Sequence, residues 1–106
     1  MAGNMRQIMK QVQKAQDMME KKQEELGQMQ VEASAGGGMV KVVANGREEL
    51  IDISIDPEVV SSDDVDMLED LILAAVKEVQ AKAKELAQKE MGSVMGNMGL
   101  PNIPGF

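Results

Sequence analysis

The chain has 106 residues with 18 acidic and 11 basic side chains, so its formal net charge is -7. This length predicts one domain with a single small core, and with one aromatic residue against 11 methionines that core must be built from Val, Ile, Leu, Ala and Met. Because the chain contains neither cysteine nor histidine, disulfides, zinc fingers, thiol nucleophiles and imidazole bases are excluded.

The first predicted element is a long amphipathic helix over residues 4–29. Apolar or small side chains recur there at a spacing of three or four residues: Met5, Ile8, Val12, Ala15, Met19, Leu26 and Met29. The remaining positions are mostly Gln, Lys and Glu, which are good helix formers. Such a helix would be about 38 Å long, which is more than a small three-stranded sheet covers, so part of its apolar stripe needs another partner.

A short first strand is predicted at residues 30–34, where Val31 and Ala33 share one side. Three consecutive glycines follow at residues 36–38. A phosphate-binding loop is one interpretation of this run, but no Lys-Ser or Lys-Thr pair follows it, and strands flank it on both sides. A turn between two strands is therefore the preferred interpretation.

The sequence next predicts a β-hairpin around Asn45-Gly46. Two runs rich in β-branched residues flank this pair: residues 40–43 and 50–55. Asn and Gly both tolerate positive φ, so a two-residue type I′ turn is predicted. That turn would place Ala44 opposite Arg47, Val40 opposite Ile51, and Gly38 opposite Ile53.

The predicted register separates the hairpin side chains onto two faces. One face is apolar and is predicted to join the core: Val40, Val42, Ile51, Ile53 and Ile55. The other face mixes apolar and charged residues: Met39, Lys41, Val43, Glu48, Leu50 and Asp52. That mixture is too apolar for a wholly solvated surface, so the second face is a candidate interface.

A second helix is predicted after Asp56-Pro57, which ends the third strand because the residue before proline is held extended. Ser61 or Ser62 would cap this helix, with Asp63, Asp64 and Asp66 in its first turn. The segment 71–76, LILAAV, is apolar on every side and must be buried on more than one side. In a chain with one small sheet the second cover is most simply another copy, so a homodimer is predicted. The candidate interface residues follow this helix: Leu68, Leu71, Ile72, Ala75, Val76 and Val79.

The end of the chain, Gly92–Phe106, is rich in glycine and proline and contains no charged residue. It is predicted to be a disordered tail, which leaves residues 1–91 as the folded domain. No run approaches the roughly 20 apolar residues of a membrane span, and the N-terminus lacks the apolar core of a signal peptide. A cytoplasmic location and no membrane partner are therefore expected.

Catalytic chemistry finds little support in the sequence. Ten carboxylates between residues 48 and 70 suggest a metal or acid-base site, but EF-hand spacing is absent and several of them fit helix-start or turn roles. A solvated acidic surface is the preferred interpretation. Ser61 and Ser62 have no histidine to activate them. The sequence therefore predicts no enzyme, no metal, no cofactor and no small-molecule substrate.

Charge is segregated along the chain. Residues 1–16 contain three bases and no acid, whereas residues 48–70 contain no base. Because the first helix runs into the sheet and the second runs out of it, the start of one and the end of the other lie far from the sheet. Both of these ends are basic, and their side chains are the candidate polyanion-binding residues: Arg6, Lys10, Lys14, Lys82, Lys84 and Lys89. A dimer would then have an acidic body and basic arms, although a merely solvated helix face is the alternative interpretation.

Five segments form a specific combination: MRQIMKQVQKAQDMMEKKQEEL, GMVKVVANG, IDISIDPEVV, DMLEDLILAAV and a tail ending in PGF. In these segments the chain resembles the YbaB/EbfC family of bacterial nucleoid-associated proteins over nearly its whole length. The resemblance implies the α+β class with an α-β-β-β-α protomer, a tweezer-like homodimer, and DNA binding with little sequence preference. It also implies a location in the nucleoid and roles in nucleoid organisation and gene expression. DNA as the polyanion comes from this resemblance.

Methionine gives the alternative function. The Met-rich helical stripe, together with Met91, Met95 and Met98, is typical of proteins that line an adaptable apolar groove with thioethers. A non-enzymatic protein-interaction scaffold that uses such a groove is therefore the second hypothesis. Phosphate contacts make binding steeply salt-dependent, whereas an apolar groove is nearly insensitive to salt, so salt separates the two.

Overall fold

The computed structural model describes residues 2–97. Its elements in chain order are α1 (Ala2–Gln28), β1 (Gln30–Ala35), β2 (Val40–Asn45), β3 (Leu50–Ile55), a 3-10 turn (Pro57–Val59) and α2 (Val65–Asn97). The predicted order of helix, three-stranded antiparallel sheet and helix is confirmed. The molecule measures 74 × 22 × 16 Å, because both helices run well past strands of only six residues.

The core lies between α2 and the strands β1 and β2. Ala75, Val79 and Ala83 follow one another at every fourth position of α2, so they share one side of the helix, and all three are completely buried. They pack against Val40 and Val42 of β2. The two alanines are small, so the helix can approach the sheet closely.

The third strand is paired but not covered. Val42 and Ile53 lie directly opposite each other on the same face of the sheet. Val42 is 1% exposed, whereas Ile53 is 47% exposed. Ile51 is also about half exposed. The core-facing side of β3 therefore remains open in the protomer, since α2 lies over β1 and β2.

The turn between β2 and β3 contains more residues than predicted, and the predicted register is wrong. Val40 lies opposite Ile55 instead of Ile51, and an irregularity after Val43 places Ala44 opposite Leu50 instead of Arg47. Leu50 thus does not join the mixed outer face. Between Val40 and Val43 the pairing is shifted by four residues from the prediction. Because four is an even number, Ile53 and Ile55 keep the predicted face.

The side chain of Asn45 explains the longer turn. Its Oδ1 accepts hydrogen bonds from the backbone N–H of Arg47 at 2.9 Å and of Glu49 at 3.1 Å. Its Nδ2 donates to Glu49 Oε1 at 2.9 Å. Gly46 is not in the left-handed region, and the residue that adopts it is Glu48, with φ 65°. The predicted two-residue type I′ turn is therefore replaced by a wider turn built around a nearly buried asparagine.

The glycines at residues 36–38 form the turn between β1 and β2, as the preferred interpretation predicted. Their φ angles are 64°, 67° and 93°, a region that residues with a Cβ rarely adopt. Gly38 lies in this turn and is not paired with Ile53, which lies opposite Val42. A Cβ at Gly36 would lie 3.0 Å from Leu71, so glycine at this position also allows α2 to pack closely against the turn.

The start of α2 differs from the prediction. Ser61 closes a separate turn in which its Oγ accepts a hydrogen bond from the Asp63 N–H at 3.2 Å. The helix begins only at Val65, so neither Ser61 nor Ser62 caps it. Asp66 is the one predicted aspartate that lies in the first turn.

The end of α2 also differs. The helix continues to Asn97, past the predicted domain boundary at residue 91, and residues 92–97, predicted to belong to a disordered tail, are helical. Val94 and Met95 are buried there. The rest of the predicted tail, residues 98–106, lies outside the described residues. Neither helix within residues 2–97 is long and apolar enough to cross a membrane.

Candidate nucleic-acid interface

The N-terminal half of α1 projects from the body as an arm, defined here as residues 3–14. Every residue of the arm is exposed. The other end of α1 is anchored, because Leu26 is 1% exposed and Lys22 Nζ lies 3.1 Å from Glu90 Oε2 on α2. Lys22 also contacts Glu25 at 2.9 Å, one turn further along α1. The helix is therefore fixed at its C-terminal half and free at its N-terminal half.

Lys22 and its carboxylate partners stabilise one another's charged forms. Hydrogen bonds with Glu25 and then with Glu90 are the main causes that raise the pKa of Lys22. The hydrogen bond from Lys22 likewise lowers the pKa of Glu25. Lys22 and Glu25 are thus charged at neutral pH, and the group joins the base of the arm to α2.

The arm presents different chemistry on two sides. Arg6, Lys10 and Lys14 recur every four residues and form a row along one side of the helix. At 100° per residue the apolar residues of the arm lie on roughly the opposite side. Each of them is more than half exposed: Met5, Ile8, Met9 and Val12. No acidic residue occurs in the arm, so its basic row has no internal partner.

The three candidate lysines on α2 are not equivalent to this row. Lys82 Nζ donates to the backbone oxygen of Glu32 at 2.9 Å and lies 3.8 Å from Glu78 Oε1, so it belongs to the body beside β1. Lys84 and Lys89 are exposed, but a spacing of five residues places them on different sides of the helix. The structure therefore brings the α1 trio together in one row, whereas on α2 Lys89 shares a side only with Lys82, which is already bonded to the body, and Lys84 lies on another side.

The acidic residues lie elsewhere. All ten carboxylates of residues 48–70 are exposed on β3, its flanking loops and the start of α2. Asp56 caps the 3-10 turn, since its Oδ1 accepts from the Glu58 N–H at 3.0 Å. No cluster of three or more potential metal ligands occurs in the part of the chain that the structure describes. This arrangement agrees with a solvated acidic surface on the body.

The candidate dimer residues divide into two groups. Ala75 and Val79 are completely buried in the protomer's own core, so they are not available to a partner. The other four border that core and are partly exposed: Leu68, Leu71, Ile72 and Val76. Sequence reasoning missed that Leu50, Ile51 and Ile53 stay uncovered. The available signal was that one helix spans only about 10 Å, or two strands, of a three-stranded sheet.

An acidic body that carries a projecting helix with an exposed basic row has the charge distribution expected of a protein that contacts a polyanion through that helix. The sequence pattern of the YbaB/EbfC DNA-binding family matches residues 1–98. The chain belongs to this family, as the resemblance predicted. The family is one of DNA-binding proteins and not of enzymes, which agrees with the expected lack of catalytic function.

Relatives support the assignment, and a solved structure shares the fold. A nucleoid-associated protein from Pelotomaculum thermopropionicum is 53% identical over 103 residues, which cover 97% of this chain and 98% of that protein. A nucleoid-associated protein from Moorella thermoacetica is 56% identical over 101 residues, which cover 95% and 97%. The crystal structure of the uncharacterized protein HP0035 from Helicobacter pylori has the same fold. Its TM-score is 0.73 at 21% identity, covering 80% of this chain and 89% of that one.

Proposed function

We propose that the protein is a nucleoid-associated DNA-binding protein that acts as a homodimer and contacts backbone phosphates with the basic side of each arm. The observation that carries this proposal is the exposed row of Arg6, Lys10 and Lys14 on an arm that contains no acidic residue, in a chain whose net charge is -7. Arg6 and Lys14 lie about 12 Å apart along the helix axis, so the three cations can meet several phosphates of one strand.

Little sequence preference follows from this type of contact. Contacts to phosphate fix the position of a protein on the duplex but carry no base information, which is read in the grooves. The basic row consists of one arginine and two lysines one helical turn apart, which suits contacts with successive phosphates. We expect the protein to bind at many places along DNA without base-specific contacts, and in this way to influence nucleoid organisation and gene expression.

A second copy is the proposed cover for the open side of β3. Ile51 and Ile53 lie there with nearly half of their surface exposed, beside the partly exposed border of α2. Two copies related by a two-fold axis would present the same apolar patch to each other, which is the usual geometry of a homodimer. The dimer would also carry two arms, which doubles the number of phosphate contacts.

The acidic body supports the same arrangement. Its exposed carboxylates repel the duplex, so DNA is held at the arms and away from the sheet. The arm is about 18 Å long, which separates its tip from the body by more than the roughly 8 Å screening length at physiological salt. Attraction at the tip of the arm is therefore largely independent of the charge on the body.

A salt titration with several unrelated duplexes tests the proposal. Three phosphate contacts per protomer give six per dimer, so log K should fall with log salt with a slope of about -5. Between about 50 mM and 200 mM salt the affinity should then fall about 1,000-fold, and equally for every duplex. Binding that is insensitive to salt, or that strongly prefers one duplex, would contradict the proposal.

The alternative function, a protein-interaction scaffold, has one observation in its favour. The apolar side of the arm lines a shallow open groove with Ile8, Met9, Val12, Gln13 and Gln16. A peptide helix bound there would be held by apolar contacts, and its affinity would change little with salt. The same titration with a protein partner in place of DNA separates the two functions.

A further inference from the structure

The turn between β2 and β3 holds the end of α1 from which the arm extends. The backbone N–H of Gly46 donates to the carbonyl oxygen of Leu26 at 2.8 Å and to that of Met29 at 3.1 Å. Carbonyls at the C-terminal end of a helix have no partner within the helix, so they need an external donor. The Met29 N–H reaches the Leu26 oxygen at 3.2 Å, and Gly46 adds a second, shorter hydrogen bond from the β2–β3 turn, so it helps to cap α1.

Space permits only glycine at this position. A Cβ at Gly46 would lie 2.8 Å from both Cδ2 and the backbone oxygen of Leu26, and 3.2 Å from its Cα. Two of these three atoms are backbone, so a change of rotamer cannot remove the clash. Gly46 is not at positive φ, so the backbone conformation of the turn does not require glycine. The close approach of α1 is the reason that glycine is required.

The turn that carries Gly46 is a rigid support. The backbone N–H of Asn45 donates to the Glu49 oxygen at 2.9 Å, and the Glu48 N–H donates to the Asn45 oxygen at 3.1 Å. The Asn45 side chain adds three further hydrogen bonds and is 7% exposed. Several hydrogen bonds that converge on one buried asparagine favour a single conformation of the turn.

We propose that Gly46 is a positioning residue for DNA binding, because the turn formed by residues 45–49 sets the direction in which the arm leaves the body. This proposal rests on the proposed function, but the direction of the arm can be measured without DNA. A methyl group at residue 46 must displace Leu26 by about 1 Å to reach ordinary contact. If α1 tilts so that a shift of about 1 Å accumulates over one helical turn of about 5.4 Å, Gln11, which lies about 23 Å from Leu26 along the helix, moves by about 4 Å.

Spin-label distances test the geometry, and the absence of cysteine allows labels without background. Labels at Gln11→Cys on the arm and Ser54→Cys on β3 report the arm direction, and dilution with unlabelled protein confines the measured distance to one protomer. We expect Gly46→Ala to shift or broaden the distance distribution by about 4 Å. Gly37→Ala is the matched control: φ there is 67°, so alanine is strained, but its Cβ meets nothing within 4 Å. This control should keep the wild-type distance.

The same samples then bind DNA. Near physiological salt each lost phosphate contact should cost Gly46→Ala about fivefold in affinity, whereas Gly37→Ala should bind as the wild type does, although both variants lose stability. An unchanged arm distance in folded Gly46→Ala, or a changed distance with full DNA affinity, overturns the positioning role. If wild-type protein does not bind DNA, the proposed function itself fails. Should Gly46→Ala not fold, Asn45→Ser weakens the same turn without a clash at Leu26, and an unbroadened distance would overturn the role.

Discussion

Exchanging two lysines of the arm for glutamine is the most direct test of where DNA binds. Lys10→Gln with Lys14→Gln removes two adjacent members of the basic row, and glutamine keeps the helix because it is a good helix former. The matched control is Lys41→Gln with Lys77→Gln, which removes two exposed lysines from the body. Each double variant lowers the net charge by the same amount, so any difference between them comes from position alone.

The expected effect follows from the number of contacts. Each lysine that neutralises one phosphate contributes about 0.9 to the slope of log K against log salt. Two lost contacts per protomer, or four per dimer, should reduce the slope by about 3.6 and leave it near -2. The control pair should change the slope by less than about 0.5, since its members do not lie on the arm. Folding stability should change little in both cases, because all four lysines are exposed and take no part in the ion pairs found within residues 2–97.

Fluorescence anisotropy with a labelled duplex measures both slopes under identical conditions. Circular dichroism and light scattering first establish that both variants are folded and have the wild-type oligomeric state. Equal losses in the two variants would show that bulk charge, and not the arm, determines binding. A greater loss in the control would move the DNA contact to the sheet and α2, and the row on α1 would then be an ordinary solvated helix face.

Three further predictions concern the fold. Truncation after residue 91 removes Val94 and Met95, which are buried, and should lower the free energy of unfolding by about 3 kcal/mol or more in chemical denaturation. Ile53→Glu should dissociate the proposed dimer in sedimentation analysis, because it buries an unpaired carboxylate at the interface but is half exposed in the protomer. The lowered pKa of Glu25 means that its contact with Lys22 stabilises the fold above the ordinary carboxylate pKa and is lost as pH falls through the folded value. The Tm difference between wild type and Lys22→Met should therefore narrow on acidification, and a constant difference would contradict this role.

Most of the fold could be predicted because its signals are local. The spacing of apolar residues gave α1, the alternation of Val31 and Ala33 gave β1, and the glycines at residues 36–38 gave a turn. The register of the hairpin could not be predicted in the same way. Asn45-Gly46 has the composition of a tight turn, yet in the structure it serves a contact with Leu26, which is distant in sequence. Such contacts leave no periodic signal.

The candidate site was predicted in part for a similar reason. The row on α1 follows from spacing and from the absence of acids, and both are visible in the sequence. The sequence could not show that Lys82 differs from Lys84 and Lys89, because its hydrogen bond to the Glu32 backbone depends on how α2 crosses β1. The same crossing decides that Ala75 and Val79 are buried within the protomer while Ile53 is not.

The separation of charge also determines at which salt concentration the arms can be studied. At about 0.01 M salt the screening length is about 30 Å, which exceeds the 18 Å or so of the arm, so the duplex would feel the carboxylates of the body as well as the row on α1. At about 0.15 M salt the screening length is only about 8 Å, and the body no longer contributes. A net charge of -7 is thus compatible with DNA binding at physiological salt because Arg6 and Lys10 lie about 10 Å or more along α1 from its first acid, Asp17, which exceeds the screening length. The length of the arm therefore contributes to binding as directly as its charge, since a shorter helix would bring the phosphates within the field of the acidic body.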